Sequence, residues 1–203
     1  MRNVINLQLS DEQLMERVKA IRDTPAFEEL YGRYSKRLLI YFLRMLGGDE
    51  AKAQDFLQDL FIKIIEKRHQ YQDGAKFSSW LYTIAGNMCK NEYRSLKVRR
   101  IIDREANPDS YTTEDVRTKI ESSLDGLKLQ TKVLRKLEDF DVYQRSAFLL
   151  RFQEQLSIRE ISTIMNCAEG TTKSRLFYVT RKLAKALQAW HSVTNEVNTN
   201  ESE

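Results

Sequence analysis

Residues 51–65 read "AKAQDFLQDLFIKII". Ala53, Phe56, Leu57, Leu60, Phe61, Ile64 and Ile65 recur every three or four positions, which places them on one apolar stripe of an α-helix. On another side Asp55, Gln58 and Asp59 stand at i, i+3 and i+4, so their side chains gather together. From Asp49 to Phe61 four acids face one lysine, a local charge of −3. Two readings of that side are open. It is a solvated face whose acids favour the positive end of the helix dipole, or it is a surface for a protein partner.

Working outward, the same period recurs on both sides. Phe27, Leu30, Tyr31, Tyr34, Leu38, Tyr41 and Met45 hold helical spacing until Gly47-Gly48, which suits the left-handed backbone of a helix end. Phe77, Trp80, Leu81, Ile84 and Met88 form a third stripe. With seven Gly and two Pro in 203 residues there is little punctuation for a many-stranded fold. The expected fold class is all-α.

The character changes after Arg100. "DREANPDSYTTEDV", Asp103–Val116, has five acids against one base and no apolar period. So long an irregular stretch marks a boundary between domains. The reading is two helical domains, residues 1–100 and 125–190, joined by a flexible linker over 101–124. A polar tail over 191–203 is expected to fray.

The third stripe carries charge opposite to that of the second. From Lys76 to Arg100 there are six basic residues and one acid, a local charge of +5. Opposite its apolar residues run Thr83, Asn87, Lys90, Asn91 and Arg94, a row mixing amides that pair with base edges and cations that neutralise phosphates. Before it lies "HQYQDGAKFSSW", where Tyr71, Phe77 and Trp80 interleave with polar groups and Lys76. Aromatics beside cations suit stacking on unpaired bases. The other reading places Phe77 and Trp80 in the core.

Near the end, "SIREISTIMNCAEGTTKSRLFYVTRKL", Ser157–Leu183, has the form of two helices around a turn at Met165-Asn166-Cys167. The second would begin at Glu169, bury Leu176, Val179 and Leu183, and expose Thr171, Lys173, Ser174, Arg175, Tyr178, Arg181 and Lys182. Short hydroxyl and cationic groups at a helix N-terminus fit the major groove, and later cations reach phosphates.

Enzymatic readings find no support. His69 and His191 stand alone, no cluster has metal-ligand spacing, and no glycine-rich phosphate loop occurs. Cys89 and Cys167, far apart in helical patterns, read as reduced packing residues. Neither a membrane-length apolar run nor a secretory leader is present, so a cytoplasmic location is expected. No cofactor, metal or small-molecule substrate is called for.

A duplex-reading helix, a basic-aromatic surface for melted strands and an acidic protein-binding face together suit the start of transcription. The residues also resemble a known family, the extracytoplasmic-function sigma factors of bacteria. "AFEELYGRYSKRLLIYFLRML", "AKAQDFLQDLFIKI" and "FSSWLYTIAGNMCKNEYR" are similar to that family's region 2. "RSAFLLRFQEQLSIREISTIMNCAEGTTKSRLFYVTRKL" is similar to its region 4. The resemblance implies roles for matching positions. Asp55, Gln58 and Asp59 would grip the clamp coiled coil of core RNA polymerase. The Tyr71–Lys76 loop would hold a flipped base of the melted −10 element, with Phe77, Trp80, Asn87, Lys90, Asn91 and Arg94 on the same DNA. Thr171, Lys173, Ser174, Phe177 and Tyr178 would meet the −35 element, with Arg175 and Arg181 on phosphates. It departs from the family pattern in Asn91, often an aspartate, and Thr172, usually a valine, changes expected to alter promoter preference. The family further implies an anti-sigma factor as partner and a monomer when free. The alternative is a stand-alone helix-turn-helix regulator that binds an operator as a dimer, with an N-terminal half of some other use.

Overall fold

The computed structural model describes residues 9–106 and 133–200, with side chains over 9–99, 101–102 and 133–188. Among these residues all regular structure is helical. The helices are α1 (Asp11–Ile21), α2 (Thr24–Met45), α3 (Glu50–Lys67), α4 (Phe77–Ala106), α5 (Val142–Phe152), α6 (Ile158–Met165) and α7 (Glu169–Asn200). A single 3-10 turn over Arg68–Gln70 follows α3, and a short helical turn over 133–137 precedes α5.

Local chemistry sets the boundaries. Ser10 and Gln13 form a reciprocal capping box at the start of α1, and Ser157 and Glu160 do the same for α6. Asp23, Asp49 and Asp141 cap α2, α3 and α5 by accepting from backbone amides that have no partner within the helix. After α2 the chain turns at Gly47 and Gly48, both at positive φ, and the Gly48 amide returns to the Leu43 carbonyl at 2.9 Å. The start of α4 is tied to α1, because the Phe77 amide donates to Glu12 Oε1 at 3.1 Å.

In the first half α1–α4 bury Leu14, Leu30, Leu38, Phe42, Leu60, Ile64, Leu81 and Ala85 among themselves. In the second, α5–α7 bury Leu150, Ile161, Leu176, Val179 and Leu183. The last three fulfil the inward pattern expected of the second helix of the pair. Cys89 is buried, and burial pushes its thiol up to about 12, so it is a neutral packing group.

The halves close on each other. α5 lies against α2 and α4, and α6 lies against α4. Tyr41 Oη and Ser146 Oγ meet at 3.0 Å in the buried seam, and Arg37 pairs with the fully buried Glu154 carboxylate at 2.7 Å. Arg44 donates to Gln153 Oε1 at 2.8 Å. Buried Arg145 donates across the seam to the Met45 carbonyl at 2.9 Å and to Tyr93 Oη.

Two expected boundaries move. Helix α4 continues past Arg100 to Ala106, because Ile101, Ile102 and their neighbours carry no helix breaker. The helix expected to end at Trp190 continues to Asn200, through a polar sequence that contains neither Gly nor Pro. The remainder of the linker, the resumption expected near Leu124 and residues 201–203 lie outside the described residues.

Candidate nucleic-acid interface

The stripe of α3 faces the core, leaving Asp55, Gln58 and Asp59 exposed together. Ile62 joins them, 55% exposed one turn further on, an apolar group the stripe analysis passed over. Its signal lay in the spacing, since it stands four residues after Gln58 and three after Asp59. Lys52 pairs with Glu92 of α4 at 2.5 Å and is drawn away from this face.

On α4, Asn87, Asn91 and Arg94 are exposed, while Thr83 and Lys90 are half-buried. Thr83 turns its hydroxyl back to the Ser79 carbonyl at 2.7 Å. Lys90 sits 6.0 Å from the ring centroid of Tyr143, whose other neighbour is Arg175 at 5.1 Å. Burial first, and then Arg175, lower the Lys90 pKa. These groups line a cleft of about 640 Å³ between α4 and the α6–α7 turn, together with Asn87, Asn166 and Cys167.

The loop before α4 corrects two placements. Tyr71 and Phe77 are buried, so neither ring is presented to a base. They pack edge-on with each other and with Trp80, and Phe77 also meets Tyr34 at 5.4 Å. The Tyr71 hydroxyl closes the loop by donating to the Ala75 carbonyl, and burial pushes its pKa up to about 12. Lys19 pins the same loop from α1, reaching the Tyr71 carbonyl at 2.9 Å and Asp73 at 2.8 Å. The loop is therefore held in shape by rings that face inward. Trp80 is half-buried, and Lys76 is paired with Glu160 of α6.

The α6–α7 pair turns at Asn166, in the left-handed conformation at φ 48°. Thr171, Lys173, Ser174 and Arg181 are exposed on the N-terminal turns of α7, and with them Phe177 at 66% and Tyr178 at 45%. Tyr178 is steadied by Phe140 and by Lys182, 5.0 Å from its ring centroid. Arg175 is half-buried and turns away from this group, donating to Cys167 Sγ at 3.3 Å. Thr172 is fully buried, its hydroxyl 3.4 Å from the same sulfur, so it packs the pair and does not face outward.

Comparison with known proteins agrees with this division. Residues 30–99 match Sigma-70 region 2, and residues 132–183 match Sigma-70 region 4. The RNA polymerase sigma-H factor of Pseudomonas aeruginosa is 30% identical over 188 residues, covering 89% of this chain and 95% of its own. The chain belongs to the extracytoplasmic-function sigma factors. The ECF sigma-E factor of Escherichia coli is 32% identical over 84% of this sigma factor and 90% of its own length. In fold it resembles CnrH in its complex with the cytosolic domain of CnrY, with a TM-score of 0.65 at 19% identity over 88% of this chain and 97% of that one. It also resembles the sigma factor RpoE of Bartonella quintana in complex with the anti-sigma factor NepR, with a TM-score of 0.60 at 23% identity over 80% and 96%. A sigma factor is a transcription initiation factor that directs RNA polymerase to promoters; operator binding by a dimeric regulator is not favoured. Among the described residues no helix is long and apolar enough to cross a membrane.

Proposed function

We propose that this sigma factor divides its work among three surfaces. The exposed Asp55, Gln58 and Asp59 on α3, with Ile62 at their edge, hold core RNA polymerase. Asn87, Lys90, Asn91 and Arg94 on α4, with Trp80 and Lys76 beside the loop, hold the melted −10 strand. Thr171, Lys173, Ser174, Phe177, Tyr178 and Arg181 on α7 read the −35 duplex. Arg175 reaches a phosphate once the halves separate. Tyr71 and Phe77 act indirectly, by keeping the loop in shape.

The observation that carries the reading is the segregation of charge on packed helices. Acids stand exposed on α3, while amides and cations stand on α4 and α7. An acidic face is repelled by phosphates and needs a protein partner, whereas the basic rows neutralise phosphate charge. The family resemblance extends the reading to a cytoplasmic monomer. An anti-sigma factor restrains it, as the partners in the two similar structures suggest.

In vitro transcription tests the division. Core polymerase plus this chain should start at discrete sites sharing two boxes. Asn87→Ala should weaken use of those sites through the upstream box of the −10 strand, and Lys173→Ala through the −35 box. Equal loss at promoters lacking either box would sink the assignment.

A further inference from the structure

We infer that the closed arrangement imposes an order on assembly: polymerase is bound first and promoter second, because the C-terminal half docks on the DNA-reading side of α4. The inference rests on the sigma-factor reading. Distance decides that the closed state is not the reading state. The −10 and −35 boxes lie about 25 base pairs apart, roughly 80 Å along a duplex at 3.4 Å per base pair. Here Lys90 of the first half and Arg175 of the second flank one ring, at 6.0 and 5.1 Å from its centroid. No single bound duplex spans both surfaces until the halves part.

The seam is built from specific polar groups as well as apolar contact. Arg145 is buried with no carboxylate in ion-pair range among the described residues. Its guanidinium is satisfied by the carbonyl ends of two helical segments: Met45 in the first half, and Leu137 and Glu138 in the second. Carbonyls at helix C-termini carry partial negative charge, so one cation holds both halves. Around it stand the Arg37–Glu154 pair, the Tyr41–Ser146 contact, Arg44 with Gln153, and Lys76 with Glu160. Lys76 thus spends the closed state on an acid of the other half. Lys90 is half-buried beneath Tyr143.

The polymerase face lies outside this shadow. Asp55, Gln58 and Asp59 remain exposed, and α3 contributes none of the clasp residues. A free chain therefore offers its polymerase grip while withholding part of its −10 row. Opening exchanges the clasp for contacts available only on the polymerase and its promoter.

Cross-linking the full chain tests the order. In a Cys167→Ser background, Arg44→Cys and Gln153→Cys are joined by a short bismaleimide with a cleavable disulfide. The cross-linked chain should bind core polymerase within threefold of the uncross-linked one. Promoter-directed transcription should fall at least tenfold and recover on cleavage. Undiminished transcription while cross-linked overturns the inference, as does failure of two reactive thiols to join. A chain inactive before cross-linking would overturn the sigma-factor reading itself. A second variant, Arg37→Glu, faces the buried Glu154 with a like charge and favours the open form. It should bind a single-stranded −10 oligonucleotide severalfold more tightly than the wild-type chain without polymerase, and equal binding counts against the clasp.

Discussion

Replacing Arg145 with methionine removes the charge from the seam and keeps most of the side-chain volume. The guanidinium donates to Leu137 O at 3.0 Å, Met45 O at 2.9 Å, Glu138 O at 2.9 Å and Phe140 O at 3.4 Å, and also to Tyr93 Oη. Their loss is not uniform. Met45 O keeps the Tyr93 hydroxyl at 2.7 Å, and Leu137 O keeps the Phe140 amide at 3.2 Å. The Glu138 and Phe140 carbonyls lose an arginine donor. A hydrogen bond to a charged group contributes about 1.5–3 kcal/mol, and such terms do not add within one network. Relief of the burial of an unpaired cation offsets part of the loss. The expected destabilisation is about 3 kcal/mol, a large part of the roughly 5–15 kcal/mol of a typical domain.

Tyr93→Phe isolates the crossing contact. It keeps the ring, 5.5 Å from the guanidinium carbon, and removes only the hydroxyl, so about 1 kcal/mol is expected. Urea unfolding followed by tryptophan fluorescence measures both. A loss under about 1 kcal/mol for Arg145→Met would refute the account of the seam. So would a Tyr93→Phe effect unchanged in the presence of Arg145→Met, since partners in one network must couple.

Three further outcomes are expected. Lys90→Met should raise Tm by about 2 °C, because burial and Arg175 both disfavour its charge, while weakening −10 strand binding; a lower Tm would contradict the crowding of cations at Tyr143. Glu160 is held at about 2, first by Lys76 and then by Ser157, from an ordinary value of 4.5. A depressed carboxylate stabilises the folded form above its unfolded pKa, and that contribution is lost as pH falls from about 4.5 towards 2. Compaction measured by interdomain energy transfer should decline over that window, and less so in Lys76→Met. Lys173→Ala should reduce the salt dependence of −35 duplex binding by about one unit of slope, and an unchanged slope would remove Lys173 from the phosphates.

What the sequence disclosed depended on the range of the forces involved. The α3 stripe and its acidic side were legible because helical period is a local property, and so was the burial of Leu176, Val179 and Leu183. Tyr71 and Phe77 were open to two readings, because an aromatic in a polar loop packs inward or points outward according to neighbours distant in sequence. Here Tyr34 and the cluster with Trp80 draw them inward. Arg175 and Thr172 share a helix with the exposed reading residues, yet the turn at Asn166 brings Cys167 against both. The clasp was invisible to pattern analysis. Arg145 and Met45 are 100 residues apart, and neither periodicity nor local charge couples them.

The central claim is that the exposed acidic side of α3 holds core RNA polymerase, and affinity for core measures it directly. The labelled full chain and its Gln58→Ala/Asp59→Lys variant would be titrated with core polymerase. A nanomolar Kd for the wild type is expected. The two substitutions together should cost about 3–4 kcal/mol, several hundredfold in Kd, with the folded structure unchanged by circular dichroism. Equal affinity of the two chains would contradict the account and move the polymerase grip away from α3.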